Sequence, residues 1–303
     1  IILINNWYGQ YNLKKFEEIN HKSLNSVIRI LSPTIPIERF LTDQDPEKSI
    51  SELIELSNPI PTQETIFIFP EGVVTAFYLN DLKVFKKLFS ENYNFRHKII
   101  LGINDVKDDK FFNSLVVLNN KLDILFKYNK NKLVPFGEFL PFENFFKKIG
   151  LKKITQGYQS FSPDNKREIL SINNLKFVPL ICYEIIYSGK INPNNKDYNF
   201  ILNISEDGWF GKSIGPDQHF SHSIFRSIEE GKNVIRSSNN GISAFISPKG
   251  QIINKINDKG YIDLNKFKSV DKTYFAKNGN KIFFYFALFY TTFIMILKTR
   301  ENR

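Results

Sequence analysis

With 303 residues, 42% hydrophobic and 24% charged, the chain has the composition of a globular protein, which excludes a largely disordered or collagen-like polymer and allows one large α/β domain with appendages or two average domains. A formal charge of +10 suits an anionic partner, either nucleic acid or a phospholipid surface, and aromatics at 15%, with 30 Phe among them, hint at apolar contact. The single cysteine, Cys182, excludes an intramolecular disulfide framework and any zinc site built from several thiolates.

The chain opens on Ile1-Ile2-Leu3-Ile4, which reads as the tail of a longer apolar stretch, so 1–25 are expected to close a membrane region and linker of a larger protein. Residues 26–35 (SVIRILSPTI) read as a strand, and 45–56 as a helix with Asp45 as N-cap and Pro46 at its first position. Residues 65–69 (TIFIF) read as a buried strand stopped by Pro70, 79–89 as amphipathic, and 97–103 as a strand. Two strand pairs flank Asn-rich turns: 113–118 and 122–128 around Asn119-Asn120-Lys121, then 168–172 and 175–182 around Asn173-Asn174. A strand at 200–205, a helix at 216–230, strands at 233–237 and 242–247 around Asn239-Asn240-Gly241, and a last strand at 251–256 complete the series. Hairpins mixed with crossover helices over 26–265 predict two sheets packed face to face with helices outside. The remainder, 266–303, holds IFFYFALFYTTFIMIL at 282–297, without a charge and bounded by Lys281 and by Lys298, Arg300 and Arg303. Flanking lysines can snorkel, so this segment is expected to span a bilayer with its basic end cytoplasmic. A buried C-terminal helix is the alternative.

Three segments carry chemistry, and each begins where a strand ends. Phe69-Pro70-Glu71-Gly72 holds a carboxylate at the sheet edge, where a proline halts the ladder and a glycine permits a tight turn. Lys130 and Glu138 flank the apolar Val134-Pro135-Phe136-Gly137 turn. Leu180-Ile181-Cys182-Tyr183-Glu184 ends an apolar strand on the thiol, with Glu184 facing the same way if the strand continues. Taken singly, these are a solvated glutamate, a surface lysine and an inert buried thiol. Taken together, they supply the base, cation and nucleophile of acyl transfer. His219 and His222 read as a packed or solvated pair on a helix, so neither a metal nor a cofactor is called for.

FPEG, YNKNKLVPFGEFLP and ICYE, with the Glu, Lys and Cys separated by 59 and 52 residues, resemble the triad of the nitrilase (carbon-nitrogen hydrolase) superfamily. They more closely resemble its membrane branch, the apolipoprotein N-acyltransferases, to which the KxxLVPFGE string and residues 203–250 are also similar. The resemblance implies an α/β protein, a nitrilase-like α-β-β-α sandwich with a C-terminal transmembrane helix. It implies Cys182 as nucleophile, Glu71 as general base, Lys130 as stabiliser of the tetrahedral intermediate and Glu138 as a second essential acid. Tyr183 and Glu184 follow the nucleophile as supporting residues, and Trp209 matches the family's Trp-Phe. Three positions depart from the family: Phe69 for its Trp, Lys132 for its His, and Glu206 for its Asn, the last adding negative charge beside the pocket.

The implied reaction moves a fatty acyl group from a phospholipid, through a Cys182 thioester, to the N-terminal amine of a diacylglyceryl-cysteine apolipoprotein. The expected setting is the bacterial inner membrane, with the catalytic domain on the periplasmic side and the protein monomeric. An amidase of the same fold and a catalytically dead membrane scaffold stay open; a nucleic-acid partner is disfavoured because the lysines are spread along the chain without a binding motif. Phe136 belongs to the Lys130 turn, and Phe139, Phe142, Phe145 and Phe146 precede Lys147, Lys148, Lys152 and Lys153. That order predicts a lid over 139–162 lying in the membrane interface, with core packing as the alternative.

Overall fold

The computed structural model describes residues 2–40, 45–75, 77–142, 160–189, 191–192 and 196–301. Its strands are β1 (Lys22–Ser32), β2 (Thr65–Ile68), β3 (His97–Lys107), β4 (Lys110–Asn119), β5 (Ile124–Asn129), β6 (Leu170–Ile172), β7 (Leu175–Ile181), β8 (Phe200–Glu206), β9 (Asn233–Asn239), β10 (Ser243–Ile246), β11 (Ile252–Ile256) and β12 (Gly260–Phe267). The helices are α1 (Ile2–Glu17), α2 (Pro46–Ser57), α3 (Lys86–Asn92), α4 (Gly215–Glu230), α5 (Tyr274–Asn278) and α6 (Lys281–Glu301). Two sheets result, ordered β12-β1-β2-β3-β4-β5 and β11-β10-β9-β8-β7-β6. Each is built around a parallel triplet, β1-β2-β3 or β7-β8-β9, with antiparallel strands outside it.

Side-chain alternation decides which face of each strand goes inward. Ile66 and Ile68 enter the interior between the sheets together with Ile28, Ile30, Phe177, Ile181, Phe200 and Leu202. Phe67, between them in sequence, faces the other way and packs with Ile50, Leu53 and Ile54 of α2 and Phe89 of α3. On the second sheet, Val178 and Leu180 face outward with Val234 and Phe220 of α4. The layers are therefore α-β-β-α. Each such large apolar side chain contributes about 1.5–3 kcal/mol through burial.

Local signals landed where they were read. The Asp45 side chain accepts from the Glu47 and Lys48 amides at the start of α2, satisfying amides that have no partner in the helix. Asn173 and Asn174 both take positive φ (47° and 65°) in the β6–β7 hairpin, as a two-residue turn between twisted strands requires. The amphipathic 79–89 run holds a 3₁₀ turn, Asp81–Phe85, and the start of the short α3 at Lys86, with Leu79, Leu82 and Phe89 buried. One expectation is corrected. The last strand is β12, not the one at 251–256, and β12 pairs antiparallel with β1.

Helix α6 is long and apolar enough to cross a membrane. None of its apolar window is buried by the rest of the described protein, so the buried-helix alternative finds no support among the described residues. The apolar start of α1 is likewise exposed, and its one buried side chain is Phe16. Residues 143–159, which include Phe145, Phe146 and the four lysines of the expected lid, lie outside the described residues.

Candidate active site

Glu71 follows β2 at one edge of the sandwich. A Cβ on Gly102 of β3 would stand 2.6 Å from the Glu71 Cα, so only glycine lets the Glu71 loop lie this close to the sheet. The Glu71 Oε1 accepts from Asn113 Nδ2 at 2.7 Å and lies 3.4 Å from Lys130 Nζ, while Oε2 accepts from the main-chain amide of Glu206 at 2.9 Å. Lys130 stands just past β5, and its Nζ donates to Glu138 Oε1 at 2.9 Å. Asn113 donates to the same Glu138 oxygen at 2.9 Å. The turn carrying Glu138 closes on itself: Glu138 Oε2 accepts from the Val134 amide at 2.8 Å, and the Glu138 amide donates to the Val134 carbonyl at 2.8 Å. Phe136 at its apex has a positive φ of 63° and is 40% exposed. Lys130 is 1% exposed. Burial works against its charge, but Glu138 and then Glu71 overcome that penalty and hold the ammonium well above the ordinary lysine range.

Cys182 does not continue β7. It takes a positive φ of 48° and starts the 3₁₀ turn Cys182–Ile186, a left-handed elbow that costs a non-glycine residue on the order of 1–3 kcal/mol. Glu184 therefore does not share a face with the thiol, contrary to the strand-based expectation. Its carboxylate is fully buried and accepts from the amides of Ile181, Asn131 and Lys132, from Tyr128 Oη, and from Arg167. Glu184 thus ties the thiol elbow to the Lys130 turn. Burial pushes the Cys182 thiol up, the Glu71 charge adds to that, and Lys130 pulls the other way.

Beneath the elbow lies a second set of ions. His219 of α4 places Nε2 3.2 Å from the Cys182 carbonyl oxygen and Nδ1 2.8 Å from Asp207 Oδ1. Asp207 also accepts from Arg236 Nη2 at 2.7 Å and from Ser205 Oγ at 2.8 Å. A Cβ on Gly241 would run into the Asp207 carboxylate, so a glycine is needed to seat it. Burial alone would raise the Asp207 carboxyl; Arg236 and His219 instead hold it well below the usual carboxylate range. The histidine read from the sequence as merely packed or solvated is thus a link to the elbow.

Of the expected site residues, Glu71, Lys130, Glu138 and Cys182 converge here. Tyr183 is half-buried with its ring against Tyr187, and Trp209 is about half exposed (48%) with its ring 4.9 Å from that of Phe40. Asn113, Arg167, Arg236 and Arg39 were not foreseen. Their sequence signal was a polar residue inside an apolar strand (Asn113 in FFNSLVV, Arg236 in NVIRSS), which a buried partner would explain. Among the described residues no group of three or more His, Cys, Asp or Glu could hold a metal ion.

Residues 48–262 match the carbon-nitrogen hydrolase family model. The chain belongs to that family. It is 31% identical over 303 residues to the apolipoprotein N-acyltransferase of Wigglesworthia glossinidia brevipalpis, covering 95% of this chain and 60% of the relative. It is 34% identical to the apolipoprotein N-acyltransferase of Rickettsia prowazekii, covering 84% of this chain and 52% of the relative. The chain therefore spans between half and 60% of the length of these relatives. Among solved structures, an amidase from Nesterenkonia sp. superposes with a TM-score of 0.58 at 12% identity, covering 82% of this chain and 93% of that one. A carbon-nitrogen hydrolase superfamily protein from Xanthomonas campestris gives 0.56 at 14% identity, covering 81% and 91%. These two likenesses establish the fold.

Proposed function

We propose that the chain is the catalytic portion of a membrane-anchored N-acyltransferase. It moves a fatty acyl group from a phospholipid to the N-terminal amine of a diacylglyceryl-cysteine apolipoprotein, working as a monomer. The observation that carries this reading is Lys130, a buried ammonium between two carboxylates whose charge bears on the thiol of Cys182. Glu71 takes the thiol proton and the thiolate attacks the ester carbonyl. An ammonium has three N–H groups; with two directed at Glu71 and Glu138, the third can meet the oxyanion. Collapse expels the lysophospholipid alkoxide, which takes its proton from Glu71 and leaves the thioester. The acceptor amine then attacks that carbonyl, its proton passes to Glu71, and the thiolate leaves and is reprotonated.

The division proposed is 1–25 as the end of a membrane region and linker, 26–265 as the catalytic domain, and 266–303 as linker, span and basic tail. Exposed Trp209, Phe210, Ile214, Phe136 and Phe142 on the loops beside the site would meet acyl chains. A hydrolase of the same fold would pass the acyl group to water; the uncovered apolar face of α6 favours the lipid reading. The setting proposed is the bacterial inner membrane, with the catalytic domain periplasmic.

Intact-mass spectrometry of the full-length protein after incubation with phospholipid tests the chemistry. The expected result is a thioester-linked acyl mass on Cys182, lost in Cys182→Ala. A short amide that loads the thiol where phospholipid does not would make the protein a hydrolase. A Thr299→Cys variant made in the Cys182→Ala background should resist an impermeant thiol reagent in intact cells; labelling without permeabilisation would reverse the orientation.

A further inference from the structure

Glu206 stands where the family has asparagine, and the sequence suggested uncompensated negative charge beside the site. The charge is compensated. Arg39, in the 3₁₀ turn Ile37–Phe40, forms an ion pair with Glu206 in which the side chains are 3% and 1% exposed. The same guanidinium donates through Nε to the carbonyl of Gly72 at 2.9 Å, and through Nη1 to the carbonyls of Ile35 and Pro36 at 3.2 and 3.0 Å. Glu206 also accepts from Asn239 Nδ2 at 2.7 Å and from the Gly208 amide at 2.7 Å. Burial pushes its carboxyl up, against the Arg39 charge that holds it down.

Each member of this pair therefore touches one flank of Glu71. Arg39 holds the carbonyl of the following residue, and Glu206 holds Oε2 through its main-chain amide. We infer that Arg39 and Glu206 are positioning residues for the general base, an ionic clamp that fixes the Glu71 carboxylate from behind. The inference rests on Glu71 acting as base. A fork geometry suits the task, because a guanidinium can hold a carbonyl and a carboxylate at once and a lysine ammonium cannot reproduce that fixed spacing. The other titratable and charged groups around Glu71 and the thiol are Lys130 past β5, Glu138 from its turn and Asp207 after β8, with Arg236 from β9 and His219 from α4 held on Asp207.

The test is the rate at which iodoacetamide alkylates Cys182, the chain's single thiol, in the full chain across pH 6 to 9 (a range of about three units that brackets the ordinary thiol value), with melting temperature measured on the same samples. Glu71→Gln is the reference and should slow alkylation about 100-fold at neutral pH, with the deficit closing as the pH rises. Arg39→Lys and Glu206→Gln should each give a smaller deficit, about tenfold, that closes over the same range. A deficit equal at every pH would report lost folded protein and overturn the clamp. A wild-type rate in Arg39→Lys would overturn it too, while leaving Glu71 as base if Glu71→Gln is slow. A wild-type rate in Glu71→Gln would defeat the base assignment and the clamp with it. If one variant does not fold the other decides, and if neither folds the pair is structural and the positioning role is withdrawn.

Discussion

The base side and the thiol side of the cleft begin alike and are secured differently. On each, a parallel strand stops at the same edge and the next turn uses a left-handed residue. After Glu71 that residue is Gly72 (φ +60°), which adopts it without a Cβ penalty. On the thiol side it is Cys182 itself (φ +48°), so the strain sits on the reacting residue. The Glu71 side is fastened by hydrogen bonds from three segments of the chain, through Asn113, Lys130 and the Glu206 amide, with Glu138 sharing the first two. The thiol side is fastened by a buried cluster in which Asp207 pairs with Arg236 and hydrogen-bonds His219, so that each member depends on the others. The contrast implies that the base side responds to substitution by degrees, whereas the thiol side holds or fails as a unit.

The largest expected effect breaks the unit. Asp207→Asn leaves the buried Arg236 without its carboxylate and should destabilise the protein by about 3–5 kcal/mol at neutral pH. Because the folded state holds the Asp207 carboxyl below its unfolded value, this stabilisation is complete above about pH 4 and is lost as the pH falls further. The gap in melting temperature between wild type and variant should narrow on acidification. A gap indifferent to pH would mean that packing, not charge, is what the cluster supplies.

Lys130→Met comes next. It removes the cation from between Glu71 and Glu138 and should lower the rate of Cys182 acylation about 10²- to 10³-fold in single-turnover measurements, with donor binding retained. An unchanged rate would take Lys130 away from the oxyanion. The smallest of the three is Glu71→Gln, a loss of about 100-fold at neutral pH. Burial still raises the thiol once Glu71 is gone, so an unassisted thiolate forms only as the pH rises, and the variant should gain on the wild type in alkaline buffer. A constant ratio across pH would remove the proton-transfer role and leave the base side as scaffold.

Much of this was legible locally. TIFIF is a short apolar run that makes a buried strand, Asp45-Pro46 opens a helix and Asn173-Asn174 makes a hairpin because those signals act within a few residues. The Glu71, Lys130 and Cys182 strings were legible for the same reason, each being a short motif at a strand end. β12 was missed because Asp263, Asn265 and Lys266 interrupt its apolar run, and its place is set by pairing with β1 at the other end of the domain. Strand periodicity put Glu184 beside the thiol, yet the chain turns left-handed at Cys182 and the carboxylate goes to Tyr128 and Arg167 instead. Glu206 read as a stray charge because Arg39, its counter-ion, is 167 residues away.

The sequence by itself determined the strand runs, the helix caps and turns, the apolar segment at 282–297 and the three short motifs that carry Glu71, Lys130 and Cys182. The tertiary structure alone decided that these groups meet, that Asn113 joins both carboxylates, and which buried cation answers which buried anion. The physical reason is that periodicity and capping are governed by neighbours along the chain, whereas compensation of a buried charge depends on distance in space, and nothing in the local sequence records who stands 3 Å away (about one hydrogen-bond length).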